Sequence, residues 1–166
     1  MAGSPSPASG TENVKGRCAP FQGMSVELPF APVDTIIRRH AGDLRVSADA
    51  AEELARRIQD RGAALAVDAA EHATADGRKT LMAEDFGVAD VPDADALVLP
   101  VAPVDRIARL DIDDEYRVAM DARLALADIL EAYATDAAEG ARVLAEHAGR
   151  RTIQAEDVAT YFELVA

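Results

Sequence analysis

The sequence predicts an all-α protein in which two copies of one helical unit pair with each other on a single chain. The first observation is a repeat. Leu28-Pro29-Phe30-Ala31-Pro32-Val33-Asp34 returns as Leu99-Pro100-Val101-Ala102-Pro103-Val104-Asp105, and Arg45-Val46 returns as Arg117-Val118. Gly77-Arg78-Lys79-Thr80 with Ala83-Glu84-Asp85 returns as Gly149-Arg150-Arg151-Thr152 with Ala155-Glu156-Asp157. The offset is 71 residues at the first block and 72 at the others, so a single-residue slip separates the copies. The second observation is composition: Ala is abundant, aromatic residues make up 4%, and Trp is absent, which favours helix over sheet. The third is the copy number. Two units are too few to stack as a solenoid, where three or more are needed, whereas two that clasp each other form a pseudo-symmetric dimer.

Each copy reads in the same order. A short helix opens with a proline in its first turn (Pro32, Pro103), where the missing N–H costs nothing, and runs to about Arg39 or Leu110. A loop carrying Arg45 or Arg117 follows. A long helix is expected over about Ala48–Ala75 and Met120–Ala148. At 1.5 Å per residue its length is roughly 40 Å, longer than a small domain is wide. Ser47 is a fair N-cap for the first of these, and Ala119 gives the second none.

Apolar and small residues recur at helical spacing at Ala51, Leu54, Ile58, Gly62, Leu65 and Ala69, and in the same phase at Leu126, Leu130, Ala134, Ala137 and Ala141. Gly62 and Ala134 share one slot halfway along, where small side chains let two long helices cross closely. Gly77 and Gly149 read as helix C-caps. A second loop, Gly77–Leu81 or Gly149–Ile153, then leads to a last short helix whose first turn is acidic (Glu84-Asp85, Glu156-Asp157), which suits the helix dipole. The stripe on each long helix needs a second copy to cover it, so a fragment with one copy should be unfolded or self-associating.

The expected organisation is an N-terminal extension over residues 1–26, a first unit over 27–89, a linker over 90–98 and a second unit over 99–166. Residues 1–23 hold most of the Ser/Pro/Gly bias without apolar periodicity, and disorder is expected there. They lack the continuous apolar segment of a signal peptide, and Met24, directly before the first repeat, is an alternative start. No apolar run approaches the roughly 18 residues that span a bilayer. Cys18 is the single cysteine and can form no internal disulfide.

Net charge is −13, with thirty carboxylates against fifteen Arg and only two Lys, Lys15 and Lys79. An acidic, lysine-poor surface suits a protein dissolved in molar salt, where the Debye length falls to about 3 Å and self-repulsion is screened. A GC-rich genome, whose codons also favour Ala and Arg over Lys, is the other source of the same bias. Taken alone, the charge argues against a nucleic-acid partner.

The three motifs in their order, Leu-Pro-x-Ala-Pro-Val-Asp, Arg-Val and Gly-Arg-[Lys/Arg]-Thr-x-x-Ala-Glu-Asp, resemble those of archaeal histones. Their duplication is similar to the fused, two-fold histones of halophilic archaea, and the resemblance covers residues 27–166. It implies two histone folds paired head to tail, each first loop beside the other copy's second loop. It implies that Arg45 lies with Arg151 and Thr152, that Arg117 lies with Lys79 and Thr80, and that these residues together with Arg106 contact double-stranded DNA. Guanidinium forks, hydroxyls and free helix-start N–H groups grip phosphate, so such clusters would bend DNA without reading bases. The resemblance further implies ion pairs from Arg78 to Asp85 and from Arg150 to Asp157 that hold the second loops. It also implies an interface through Leu144, His147 and Asp157 that joins two chains; copy one has His72, Ala75 and Asp85 at those places. Two departures weaken the expected grip: Thr35 stands where Arg106 stands in copy two, and Met82 and Gln154 replace a further loop lysine.

Nothing in the sequence supports catalysis. His40, His72 and His147 are far apart with no HxxxH spacing and no partnering Cys, so no metal and no other cofactor is expected, nor a small-molecule substrate. The glycines form no phosphate-cradling loop, and carboxylate runs such as Asp113-Asp114 read as solvated faces. The expectation is a cytoplasmic, nucleoid-associated chromatin protein that binds DNA and wraps it without sequence preference. The alternative is a histone-fold module of the transcription machinery that binds protein and touches DNA weakly or not at all. A helical dimerisation protein with no nucleic-acid partner is the blandest reading.

Overall fold

The computed structural model describes residues 26–166; the expectations for residues 1–23 lie outside the described residues. The element order is α1 (Phe30–Arg39), β1 (Arg45–Val46), α2 (Ala48–Ala75), β2 (Thr80–Leu81), a 3-10 turn (Ala83–Phe86) and a connector with a second 3-10 turn (Ala94–Ala96). Then come α3 (Val101–Ala108), β3 (Arg117–Val118), α4 (Met120–His147), β4 (Thr152–Ile153) and α5 (Ala155–Val165).

Local chemistry explains the boundaries. Pro29 and Pro100 stand at the N-caps of α1 and α3, so Pro32 and Pro103 fall in the first turn, where no intrahelical partner exists for an N–H. The Ser47 hydroxyl accepts from the Ala50 N–H at 3.2 Å, while Ala119 offers α4 no side-chain acceptor. Both long helices end in the same way. Gly77 and Gly149 take φ near +78° and +75°, the left-handed region that a Cβ disfavours. The Gly77 and Arg78 N–H groups return to the Thr74 and Ala73 carbonyls, and those of Gly149 and Arg150 return to Glu146 and Ala145. This is the Schellman pattern, which satisfies the last carbonyls and aims the next residue, an arginine in both copies, back across the helix end.

The copies clasp head to tail through backbone bonds. β1 pairs in parallel with β4, Arg45 opposite Thr152, and β2 pairs in parallel with β3, Thr80 opposite Arg117. The Arg45 N–H donates to the Arg151 carbonyl at 2.9 Å, and the Arg117 N–H donates to the Lys79 carbonyl at 2.9 Å. Each first loop is therefore bridged to the other copy's second loop. α1 packs on α2 and across onto α4, while α3 packs on α4 and across onto α2.

One continuous core results. It contains Val33, Ile36 and Ile37 of α1, Leu54 and Ile58 of α2, Val104 and Ile107 of α3, and Leu126 and Leu130 of α4, all essentially inaccessible to solvent. Burying each such side chain contributes about 2 kcal/mol. The long helices approach closely at Gly62, where a Cβ would meet Ile107 Cγ2 at 2.7 Å and Leu130 Cδ1 at 3.0 Å. The helical stripe read from the sequence is buried throughout, with Leu65 partly exposed at its edge.

Three features differ from the sequence reading. The last short helix of copy one is a 3-10 turn of four residues, Ala83–Phe86. Gly87 follows it in the left-handed region at φ +78°, so the chain turns away where copy two continues through Tyr161 and Phe162. Aromatic contacts hold the longer helix in place: Phe162 packs on Tyr133 of α4 and beneath Arg57 of α2, 5.0 Å from the ring centre. The loops hold two-residue parallel bridges rather than plain coil. Finally, α3 ends at Ala108, short of Leu110. The single-residue slip lies just beyond, because the ion pairs Asp34–Arg38 and Asp105–Arg109 are 71 apart and the bridges Arg45 and Arg117 are 72 apart.

Candidate nucleic-acid interface

The Schellman turns place Arg78 and Arg150 for one task, holding the second loop. Arg78 donates from Nη1 to Asp85 Oδ2 at 2.9 Å and from Nη2 to Asp85 Oδ1 at 3.0 Å, and also reaches the Thr80 carbonyl at 2.9 Å. Arg150 makes the same fork onto Asp157, at 2.6 Å to each oxygen, and reaches the Thr152 carbonyl at 3.4 Å. The same carboxylates accept the Met82 N–H (2.7 Å) and the Gln154 N–H (2.8 Å), closing the turn before the next element. Burial works against the charged form of Asp85, but hydrogen bonds from Arg78, His72 and the Met82 N–H outweigh it and pull its pKa down to about 2. The hydrogen bond to Asp85 raises Arg78, and that to Asp157 raises Arg150.

With those two arginines occupied, the remaining loop cations point outward. At one end Arg45 on β1 and Arg151, directly before β4, are exposed side by side with Thr152, and neither guanidinium has an ion-pair partner among the described residues. At the other end Arg117 is exposed and likewise unpaired among the described residues, with Thr80 opposite it. Lys79 differs from its counterpart Arg151: its ammonium lies 2.8 Å from Glu115 Oε2 and 5.0 Å from the centre of the Tyr116 ring. That contact with Glu115 raises the Lys79 pKa. Arg106, on α3, donates to Glu27 of copy one at 3.0 Å and keeps about half its side chain exposed.

The residues expected at an interface between chains are not equivalent. Leu144 is half-buried and His147 is exposed at the end of α4. Asp157 is buried, 2% exposed, and its oxygens accept from Arg150 and from the Gln154 N–H. In copy one His72 Nδ1 lies 2.6 Å from Asp85 Oδ1. Among the described residues His72, Asp76 and Asp85 form a group whose ligand atoms lie within 4.8 Å of one another, a juxtaposition that sequence spacing did not suggest. The Arg78 guanidinium already bonds both carboxylates there, supplying the positive charge that a cation would otherwise bring.

Two further sets of residues escaped the sequence reading. Gln59 and Glu131, 72 apart, each accept backbone N–H groups from the segment leading into their own copy. A polar residue directly after a core residue (Ile58, Leu130) at the same place in both copies was the available signal. Glu115 carried none, since it sits in an acidic run. No helix among the described residues is long and apolar enough to cross a membrane.

Comparison with known proteins agrees with this geometry. The family model described as "Histone-like transcription factor (CBF/NF-Y) and archaeal histone" matches residues 26–89 and again 97–160. Over 60 residues the chain is 48% identical to a subunit of the archaeal histone HAN1 from Thermococcus zilligii, spanning 36% of this chain and 87% of that protein. Its fold is similar to the crystal structure of the histone from Methanopyrus kandleri, with a TM-score of 0.60 and 24% identity over 81% of this chain and 92% of that one. A solved protein of Thermus thermophilus is also similar, with a TM-score of 0.60 and 20% identity over 84% and 99% of the two chains. A duplicated helical unit, clasped loop to loop around crossed long helices and matched twice by one family, identifies the chain as a member of the family of histone-like transcription factors and archaeal histones, structural proteins rather than enzymes.

Proposed function

We propose that this chain is a chromatin protein that binds double-stranded DNA without sequence preference and bends or wraps it along the edge formed by the bridged loops. The observation that carries the reading is the gathering of Arg45 with Arg151 and of Arg117 with Lys79, across bridges joining residues far apart in sequence. Exposed guanidinium forks flanked by threonine hydroxyls suit phosphate oxygens. Such contacts position a duplex and carry no sequence information, leaving any preference to DNA deformability. Arg106 would add a third contact by exchanging Glu27 for phosphate. The histone relatives favour the same partner.

The net charge of −13 opposes DNA at long range, whereas loop contacts act within a few ångströms. At the molar salt that the lysine-poor surface suits, the long-range part is screened and counterion release contributes little, so binding is expected to be weak. The tandem, halophilic type of archaeal histone, resident on the nucleoid, is the variant this composition favours. Further assembly would run through Leu144 and His147 at the end of α4 together with Asp157, joining two chains at copy two.

A second reading is favoured by a specific observation: Lys79 and Arg106 are already engaged by Glu115 and Glu27. A histone-fold module that binds protein in the transcription machinery would have no need of free cations there. Mobility-shift titration of a random-sequence duplex in high-potassium buffer separates the two, comparing wild type with Arg117→Glu/Arg151→Glu. Retarded duplex with wild type and its loss in the double variant supports the DNA reading. Equal binding by both, or none by wild type, leaves the interaction module.

A further inference from the structure

We infer that the two loop-pair ends are unequal, the Arg45/Arg151 end being an open phosphate anchor and the Arg117/Lys79 end being masked by Glu115, which competes with DNA for the Lys79 ammonium. The inference rests on the DNA-binding reading and adds to it a residue that sets which end grips first.

The pseudo-symmetry of the fold supplies its own control. Lys79 and Arg151 occupy the same place in their copies, as do Glu115 and Asp43, each at an offset of 72. Glu115 reaches Lys79 Nζ at 2.8 Å. No ion pair joins Asp43 to Arg151 among the described residues, and Arg151 remains exposed. Asp43 is one methylene shorter, and it sits in the loop that lacks the extra residue of copy two.

The masking contact is held in position rather than being a chance surface pair. Tyr116, next to Glu115, is fastened at both ends: its hydroxyl bonds Thr74 Oγ1 of α2, and its carbonyl accepts from Arg109 Nη1 at 3.3 Å. Arg109 is itself anchored on Asp105. The ring then lies beneath the Lys79 ammonium, so aromatic face and carboxylate hold one cation between them. A phosphate approaching Lys79 must displace Glu115 and overcome its repulsion, whereas at the other end no ion pair holds Arg45 or Arg151 among the described residues.

Binding of a random-sequence duplex by the full chain tests this, using wild type, Glu115→Gln, Lys79→Gln, the double variant Lys79→Gln/Glu115→Gln, Arg151→Gln, Glu115→Gln/Arg151→Gln, and Asp114→Asn as a control for simple removal of negative charge. Since an exposed ion pair is weak, Glu115→Gln should tighten binding roughly three- to fivefold. It should also steepen the dependence of log affinity on log salt by about 0.9, the value of one added phosphate contact. Asp114→Asn should do neither, and the gain should vanish in the Lys79→Gln background. In wild type Arg151→Gln should weaken binding more than Lys79→Gln, and the two should become comparable once Glu115 is Gln. An unchanged Glu115→Gln, a gain matched by Asp114→Asn, or a gain that survives Lys79→Gln overturns the inference while leaving DNA binding intact. A wild-type chain that binds no duplex at all removes the DNA reading, and the inference falls with it.

Discussion

Gln59 and Glu131 sit on the same turn of the two long helices, and each fastens the segment leading into its own copy. Gln59 Oε1 accepts the Glu27 N–H at 2.7 Å, and Glu131 Oε1 accepts the N–H groups of Val98 and Leu99 at 2.7 and 3.1 Å. These extended segments lie outside any ladder, so their amide groups depend on a side chain for a partner. The repeated arrangement fixes where α1 and α3 begin, and so where the loops that follow can meet.

Truncating either fastener strands part-buried donors. Glu131→Ala and Gln59→Ala should each lower stability by about 1–3 kcal/mol. Glu131→Gln, which keeps the accepting oxygen, should recover most of that loss. Urea unfolding with unchanged m-values checks this, and an Ala variant as stable as wild type would show that the segment finds its partners elsewhere.

The Asp85 carboxylate links stability to pH. Its pKa in the folded chain is about 2, below its ordinary 3.8, so the unfolded chain binds more protons between those values. Stability therefore rises with pH through this range. The contribution is fully present above about pH 5 and is lost as pH falls toward 2, amounting to roughly 2 kcal/mol. Asp85→Asn should be less stable at neutral pH and should flatten the acid limb of a stability–pH curve, read by chemical unfolding between pH 2 and 6.

Gly62 is a point of close approach between copy one's long helix and Ile107 and Leu130 of the other copy. Gly62→Ala gains about 1 kcal/mol of helix propensity, yet its Cβ would press on the stiff, β-branched Ile107 and on Leu130. Displacing packed core groups costs about 1–3 kcal/mol. A net loss of stability is expected from Ala and failure to fold from Leu, by circular dichroism during heating. A rise in melting temperature for Gly62→Ala would mean that the crossing has room to spare.

Assembly of chains through copy two predicts that His147→Ala and Leu144→Ala lower the mass seen in equilibrium sedimentation toward that of one chain. Asp157→Ala should in addition destabilise the chain itself by freeing Arg150. An unchanged mass for His147→Ala would sink the proposed interface.

The periodic elements were legible from residues alone because their signals are local. The stripe from Ala51 to Ala69, the Ser47 cap and the glycines at 77 and 149 set the long-helix boundaries to within a residue of those observed. The last helix of copy one misled, since Glu84-Asp85 announces a helix start while Gly87, left-handed directly after Phe86, stops it within one turn. The interface was half legible: the repeated motif names the loop cations and the family resemblance pairs Arg78 with Asp85 and Arg150 with Asp157, but nothing in the residue order says that Glu115 holds Lys79 or that Glu27 holds Arg106.

By itself the sequence determined that there are two like units, how long their helices are and which faces must be covered, since those follow from side-chain size, capping and periodicity along one strand of chain. Only the tertiary structure decided that Glu115 reaches Lys79, that Glu27 reaches Arg106 and that the Arg45 N–H bonds the Arg151 carbonyl. These contacts join residues 36, 79 and 106 positions apart and depend on how the copies clasp, which no local signal along the chain encodes.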